Sequence, residues 1–476
     1  MARHWKVLIV TSVAVFMALL DVTIVNVAFP DLRHDFPDTP LNGISWVLNA
    51  YNVVFAAALV PAGRLADRVG RKRMFLGGLI LFIAASVACG LAPTVPLLVT
   101  ARVVQAIGAA TILPTALSLV LPEFPPERRA TAVSLNTATG AIAAIAGPTL
   151  GGVLVQWQGW RWVFFVNLII GLIALIPARR LLKETERDTT SRWPDALGAL
   201  LFTAAVTVLA LSLVKAQDWD TAITYGGFAV AALLLAAFIL RSARHHTPVF
   251  ELNLFQVRQF SVANAGSFAF SVGFYALLLC NVLFLTSVWH FTVLDAGLAA
   301  TPGSIMATLT APIAGRLADR FGPRAIAIPG GLMFGLGALL LALRTGTEPA
   351  YLTEVFPSLF LTGAGVGFTL PAFSSAAVSR LPADRFATGI AITSGFRQIG
   401  AVVGIAALVA IVPTGGYHGV WYMIAATGAL AALAGLALQP RQNHPGTDVS
   451  FAARPVRSQG ESRDERTTTP WSTRRT

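Results

Sequence analysis

One aspartate sits where lipid would otherwise be expected on every side. Asp21 falls within LDVTIVNVAFP, residues 20–30, the outer half of the first long apolar run. A charge at bilayer depth costs roughly 2.5–3.5 kcal/mol on insertion scales, so a chain that keeps one there uses it or pairs it. Two cations stand out in the same way, Arg102 in ARVVQAIGAA (101–110) and Arg397 in SGFRQIGAVVG (394–404). A carboxylate can take up and release a proton, and a cation beside it decides how readily. Asp21 and Arg102 are therefore the candidate proton-coupling residues. Amides can both donate and accept, which suits contact with an uncharged polar group. Asn26, Gln105 and Gln398, together with Arg397, are the candidate substrate contacts. His290 and His418 fall at the ends of apolar runs, so a histidine relay is not expected.

Other chemistries find no support in the residues. Cys89 and Cys280 lie far apart in apolar runs, and neither CxxC nor metal-ligand spacing occurs. There is no nucleophile elbow and no GxxxxGK[ST] phosphate loop. The chain reads as no enzyme, without cofactor or metal, and its energy source as an ion gradient rather than ATP.

The elements that must carry these residues follow from composition. Of 476 residues, 55% are hydrophobic and only 12% charged, against about 25% charged in soluble domains. About 20 apolar residues cross a bilayer core. Candidate spans lie near 7–29, 44–63, 74–92, 96–120, 133–155, 162–178, 194–214 and 222–240, then near 260–286, 296–315, 325–343, 352–377, 387–411 and 418–438. The fold class is thus all-α and polytopic, with about fourteen helices. The first run continues past Asp21 to Phe29, too long for a secretory signal core.

Basic residues set the orientation. With the N-terminus inside, 22 Lys and Arg before the tail fall in inner segments and only Arg33, Arg161, Lys215 and Arg344 in outer loops, as the positive-inside rule requires. Both termini are then cytoplasmic. The net charge of +12 belongs to these loops, and nucleic acid is not an expected partner. From residue 440 to 476 the chain turns to Arg, Ser, Thr and Pro, a composition expected to be disordered.

The sequence also repeats itself. GRLADRVG at 63–70 recurs as GRLADRFG at 315–322, a shift of 252. Gly108, Pro114, Ala130, Thr131 and Gly147 recur at a shift of 257 as Gly365, Pro371, Ala387, Thr388 and Gly404. The surplus over a six-helix repeat is filled by the spans at 194–214 and 222–240. The expected layout is a six-helix bundle over 1–180, a linker with two extra helices over 181–258, a second bundle over 259–439, and the tail. Parallel six-helix repeats moving about a midplane site describe alternating access. Asp21, about 13 Å below the end of its helix, and Arg102, about 9 Å below the start of its own, come to similar depths at 1.5 Å per residue.

Four motifs give the chain a family likeness. GRLADRVGRKR at 63–73, ARVVQAIGAA, AGPTLGG at 146–152 and LDVTIVNVAFP together resemble the major facilitator superfamily, specifically its fourteen-span drug:proton antiporter family. The copies depart from the usual pattern at Phe29, Ala101, Ala106 and Ala143. The resemblance implies two six-helix bundles plus two inserted helices. It implies a conformational latch at Gly63, Asp67, Arg68, Gly70 and Arg71, with Asp319 at the repeat position of Asp67. It also implies an antiporter-motif helix bearing Gly147, Pro148, Gly151 and Gly152, with turn or close-packing roles for the glycines. Arg102 and Pro148 have uncharged, unkinked counterparts in Leu359 and Ile405.

The function implied is proton-coupled efflux of an amphipathic organic compound, such as a drug or antibiotic, across the cytoplasmic membrane. Its partners would be the small-molecule substrate, protons and the lipid bilayer, and the protein would act as a monomer. Proton-coupled uptake or exchange of a metabolite on the same fold is the alternative, and the motif at 146–152 weighs against it. A membrane sensor would need neither a titratable buried site nor the repeat.

Overall fold

The computed structural model describes residues 2–125, 129–184, 195–216, 219–246, 248–381 and 385–439. The side chains of Asp67 and Asp319 and the tail from 440 onward lie outside the described residues, so the expectations placed on them carry no structural account. Among the described residues every regular element is helical. The elements are α1 (Arg3–Val27), α2 (Phe29–Asp35), α3 (Leu41–Ile44), α4 (Trp46–Val69), α5 (Arg71–Gly90), α6 (Val95–Val120), α7 (Arg129–Gln158) and α8 (Trp162–Leu181). They continue as α9 (Ala196–Val214), α10 (Thr221–Arg244), α11 (Arg258–Ser287), α12 (Val293–Phe321), α13 (Arg324–Arg344), α14 (Phe356–Val378) and α15 (Phe386–Ala437).

The fourteen expected spans map onto α1, α4 to α14, and the two arms of α15. Among the described residues eleven helices, α15 taken as one, are long and apolar enough to cross a membrane by length and composition. Helices suit this environment because all their backbone hydrogen bonds close within the segment. α1, with 25 residues, extends about 37 Å at 1.5 Å per residue, enough for a core about 30 Å thick. The 52 residues of α15 hold two spans, divided at Gly416, whose φ of 59° is a left-handed turn open to glycine.

The ends of the spans differ from expectation at one instructive place. Gly63 was expected to form a turn with Gly70, but α4 runs on through Gly63 to Val69, and only Gly70, at φ 114°, turns the chain. The segment GRLAD is polar yet still helix-forming, and Gly63 sits opposite Pro114 of α6, where its Cβ would lie 3.5 Å from the proline ring. The repeat copy ends the same way at Gly322, φ 85°.

The internal repeat is visible in packing. A Cβ on Gly108 of α6 would meet Phe82 N at 2.7 Å and Gly78 O at 2.8 Å on α5. A Cβ on Gly365 of α14 would meet Gly330 O at 2.8 Å and Phe334 N on α13. Gly330 and Phe334 are Gly78 and Phe82 displaced by the same 252 residues. In both halves glycine lets two helix backbones touch, the usual means of association where lipid removes the hydrophobic drive. α1 packs on α7 and α8, α4 on α6, and α5 on α6 and α8, while α11 packs on α15, α12 on α14, and α13 on α14 and α15. Contact between the halves is made chiefly by α7 with α12 and α4 with α15. The added α9 packs on α10 and touches both α4 and α15.

Candidate functional site

The buried charges of the first half meet in one cluster. Asp21 on α1 and Arg102 on α6 form an ion pair, their side chains 0% and 1% exposed. Arg102 Nη1 donates to Asp21 Oδ2 and to Gln105 Oε1 (2.8 Å), and Nε donates to the Val47 carbonyl on α4 (3.1 Å). Asp21 Oδ1 accepts from Gln105 Nε2 and from Asn167 Nδ2 of α8, both at 2.9 Å. Ser86 of α5 accepts from the same two amides at 3.1 and 3.0 Å and donates to the Phe164 carbonyl at 2.9 Å. The guanidinium lies 4.1 Å from the Tyr51 ring centroid. Five helices thus supply the cluster, and every bond to Asp21 uses it as an acceptor.

The sequence points to Asp21, Arg102 and Gln105, and the spacing of 102 and 105 places both on one face of α6, since residues three apart are neighbours on a helix. Gln105, expected as a substrate contact, is fully buried and bonds to Asp21 in the carboxylate cluster. Ser86 and Asn167 were not anticipated. Each is a single polar residue in an apolar span, a pattern that packing alone also produces; their signal is only that a hydroxyl or an amide in lipid needs a partner.

The second half has no equivalent cluster at the corresponding place. Leu359, the counterpart of Arg102, lines a small apolar cavity with Phe284, Leu341 and Trp421. Arg397 lies elsewhere, half-buried on α15, with Nη2 donating to Ser394 Oγ at 3.2 Å. It is not brought together with Asp21 by any bond. Tyr275 of α11 lies beside Arg397 and Gln398. Buried amide atoms without a hydrogen-bond partner among the described residues include Gln398 Oε1, Asn26 Oδ1, Asn52 Oδ1 and both polar atoms of Asn49. Asn49 and Asn52 share a face of α4 with Ala56, whose carbonyl lies 3.8 Å from the position of a Cβ on Gly395. Ala56 is thus on the α4–α15 seam between the halves, and the two asparagines lie on its side of α4.

The helix bearing Gly147, Pro148, Gly151 and Gly152 is wedged between α1 and α12. A Cβ on Gly147 would strike Thr23, and one on Gly151 would lie 3.0 Å from Ile24, both on α1. A Cβ on Gly152 would lie 3.2 Å from Leu294 Cα of α12, and one on Gly297 would lie 2.5 Å from the Pro148 carbonyl. Thr149 and Thr301 share a hydrogen bond of 2.8 Å across the same contact. On that face of the molecule Asp35 of α2 accepts from Trp160 Nε1 (2.7 Å) and Arg161 Nη1 (2.9 Å). The Trp160 bond and the Arg161 charge hold the Asp35 carboxyl below the usual carboxylate range.

On the opposite, arginine-rich face, the 63–73 segment bonds to its own half and to the chain just after α8. Arg71 Nη1 donates to the Ser118 carbonyl (3.4 Å), and the backbone amides of Lys72 and Arg73 donate to Glu184 (3.0 and 3.2 Å). Glu184 so caps the start of α5, where the helix dipole favours a carboxylate. Arg68 lies in the last turn of α4. Arg64 reaches beyond the half, bonded to Glu251 at 2.9 Å.

Comparison with known proteins agrees with this architecture. The Major Facilitator Superfamily profile matches residues 11–287 and 263–475. Multidrug resistance protein Stp of Mycobacterium tuberculosis (strain CDC 1551 / Oshkosh) is 35% identical over 84% of this chain and 74% of its own length. The riboflavin transporter RibZ of Clostridioides difficile (strain 630) is 30% identical over 81% of this chain and 82% of its own. Among solved structures, the xylose transporter XylE from E. coli superposes with a TM-score of 0.64 at 14% identity, covering 91% of this chain and 97% of that one.

Proposed function

The chain belongs to the Major Facilitator Superfamily, and on that premise we propose that it exports amphipathic organic compounds in exchange for protons by alternating access. The observation that carries this reading is the Asp21–Arg102 pair, buried in one half and absent from the corresponding place in the other. The arginine-rich face is the cytoplasmic one in this reading, with both termini there, and the membrane is the cell membrane. A proton arriving at Asp21 neutralises the carboxylate and removes its hold on Arg102, so the arrangement of α1 against α6 must change. Substrate binds along the α4–α15 seam, where Asn49, Asn52 and Gln398 offer unpaired polar atoms and Arg397 and Tyr275 line the second half. Export is the direction suggested by the motif at 146–152 and by relatives named for resistance, including the Methylenomycin A resistance protein of Streptomyces coelicolor (strain ATCC BAA-471 / A3(2) / M145), 32% identical over 82% of each chain.

A growth-inhibition panel in a host lacking its own pumps tests the export reading. The protein should raise the tolerated concentration of at least one amphipathic compound, and everted vesicles should accumulate that compound under an imposed proton gradient. No protection against any compound, together with accumulation of a metabolite by right-side-out cells, would overturn export. That result would favour the second reading, proton-coupled uptake or exchange of a metabolite, which the likeness to a riboflavin transporter supports.

A further inference from the structure

The two inserted helices have no part in the carboxylate cluster, yet the segment that follows them reaches the seam between the halves. α9 and α10 are fastened together at the arginine-rich face by Asp195, fully buried, which caps α9 through Gly198 N (2.8 Å) and pairs with Arg241 (2.7 Å). The chain leaving α10 buries Val249 and Phe250. The Phe250 ring lies 5.1 Å from Phe202 of α9, 5.7 Å from Phe238 of α10 and 5.8 Å from Phe396 of α15. It also faces Gly395, where a Cβ would lie only 3.2 Å from the ring. Phe250 therefore joins the inserted pair to the same stretch of α15 that packs against Ala56 of α4.

The next residue ties both halves together. Glu251 Oε1 accepts from Arg64 of α4 at 2.9 Å, and Oε2 accepts from Arg385, the residue that leads into α15. Its side chain is only 18% exposed. One carboxylate thus neutralises two guanidinium groups on opposite sides of the seam. Shielded charge-assisted bonds of this kind are among the stronger polar contacts, and removing the shared carboxylate would leave two like charges facing each other.

We propose that Phe250 and Glu251 form a clamp through which the inserted helix pair holds the two halves together at the arginine-rich face. The inserted pair is then a brace on one gate, and that gate opens by breaking the Arg64–Glu251–Arg385 bridge and withdrawing Phe250 from α15. The proposal rests on the alternating-access reading but names a device that the 63–73 segment alone does not supply.

Spin labels on Arg73→Cys in the first half and Ala325→Cys in the second report the width of this face, since both positions are exposed. The full chain is labelled in lipid nanodiscs, and distances are read by pulsed electron resonance without substrate or proton gradient. The parent should give one short-distance population. Glu251→Gln should move at least half of the distribution to longer distances, and Phe250→Ala should move it in the same direction. Arg64→Glu with Arg385→Glu and Glu251→Lys reverses every charge and should restore the parent distances. A Glu251→Gln distribution matching the parent would overturn the clamp. If Glu251→Gln cannot be isolated folded, the charge-reversed triple decides: parent-like distances support the clamp and widened ones overturn it. The readout uses no transport, so a parent chain that fails to export anything would sink the export reading and leave the clamp to be judged by its distances.

Discussion

Arg102 of α6 donates to the Asp21 carboxylate of α1 across a contact that solvent does not reach. The two charges are held in register by Gln105, which bonds both of them, so the cluster behaves as one unit. Removing one member of a buried ion pair costs about 3–5 kcal/mol because the other charge is stranded. Arg102→Gln and Asp21→Asn should each lower the thermal midpoint of the detergent-solubilised protein. The double variant should fall by clearly less than the sum of the two. Additive losses would show that the pair is not energetically coupled.

Asn167 tests whether the cluster extends beyond the charged pair. It gives one Nδ2 to both Asp21 and Ser86. Asn167→Leu fills the space but removes one of the two amide donors shared by Asp21 and Ser86, leaving Gln105 alone, and a hydrogen bond to a charged group contributes about 1.5–3 kcal/mol. Transport should drop about tenfold, the rate equivalent of about 1.4 kcal/mol, while Leu168→Ala, one residue away on the same helix, leaves it within a factor of two. Equal effects from the two would deny Asn167 a specific place beside Asp21.

Helix number and the repeat were legible in the sequence because lipid imposes a length and a composition on every span, and because 63–70 and 315–322 are nearly identical. Asp21 and Arg102 were legible because a charge in such a span is costly. Their pairing was not: helix rise gives depth but not azimuth, so similar depths did not fix a shared face. Ser86 and Asn167 were hidden because small polar residues are tolerated in any helix interface. Glu251 was hidden for a different reason. It stands in a short connection after α10, where an acidic residue reads as solvated, and only the fold brings Arg64 and Arg385, 321 residues apart in sequence, to its two oxygens.

The close approach of α7 to α12 makes Gly297 sensitive to a single methyl group. A Cβ there would lie 2.5 Å from the Pro148 carbonyl, a backbone atom with no rotamer to yield. Gly297→Ala should lower the thermal midpoint, in line with the about 1–3 kcal/mol typical of overpacking. It should also raise the alkylation rate of a thiol placed at Thr301→Cys, by parting the two helices. Gly226→Ala, where nothing lies within 4 Å, is the matched control and should do neither.

Asp35 gives a pH-dependent contact outside the membrane-spanning segments. Its carboxyl is held low chiefly by the Trp160 bond and then by Arg161. A group lowered on folding stabilises above its unfolded value, about 3.9 for aspartate, and that contribution fades as pH falls through the folded value. Asp35→Asn should therefore lower the thermal midpoint slightly at pH 7, and the difference from the parent should shrink as the pH falls below the unfolded value. A difference that persists undiminished at low pH would assign the effect to packing rather than to the charge.

The most direct test of Asp21 as the proton-coupling group is a proton flux measured in the presence of the transported compound. Everted vesicles carrying the protein are acidified inside, and a pH-sensitive dye follows the gradient as the compound is added. The gradient should collapse with the parent protein and persist with Asp21→Asn at equal membrane abundance. Collapse of the same size with Asp21→Asn would contradict the account.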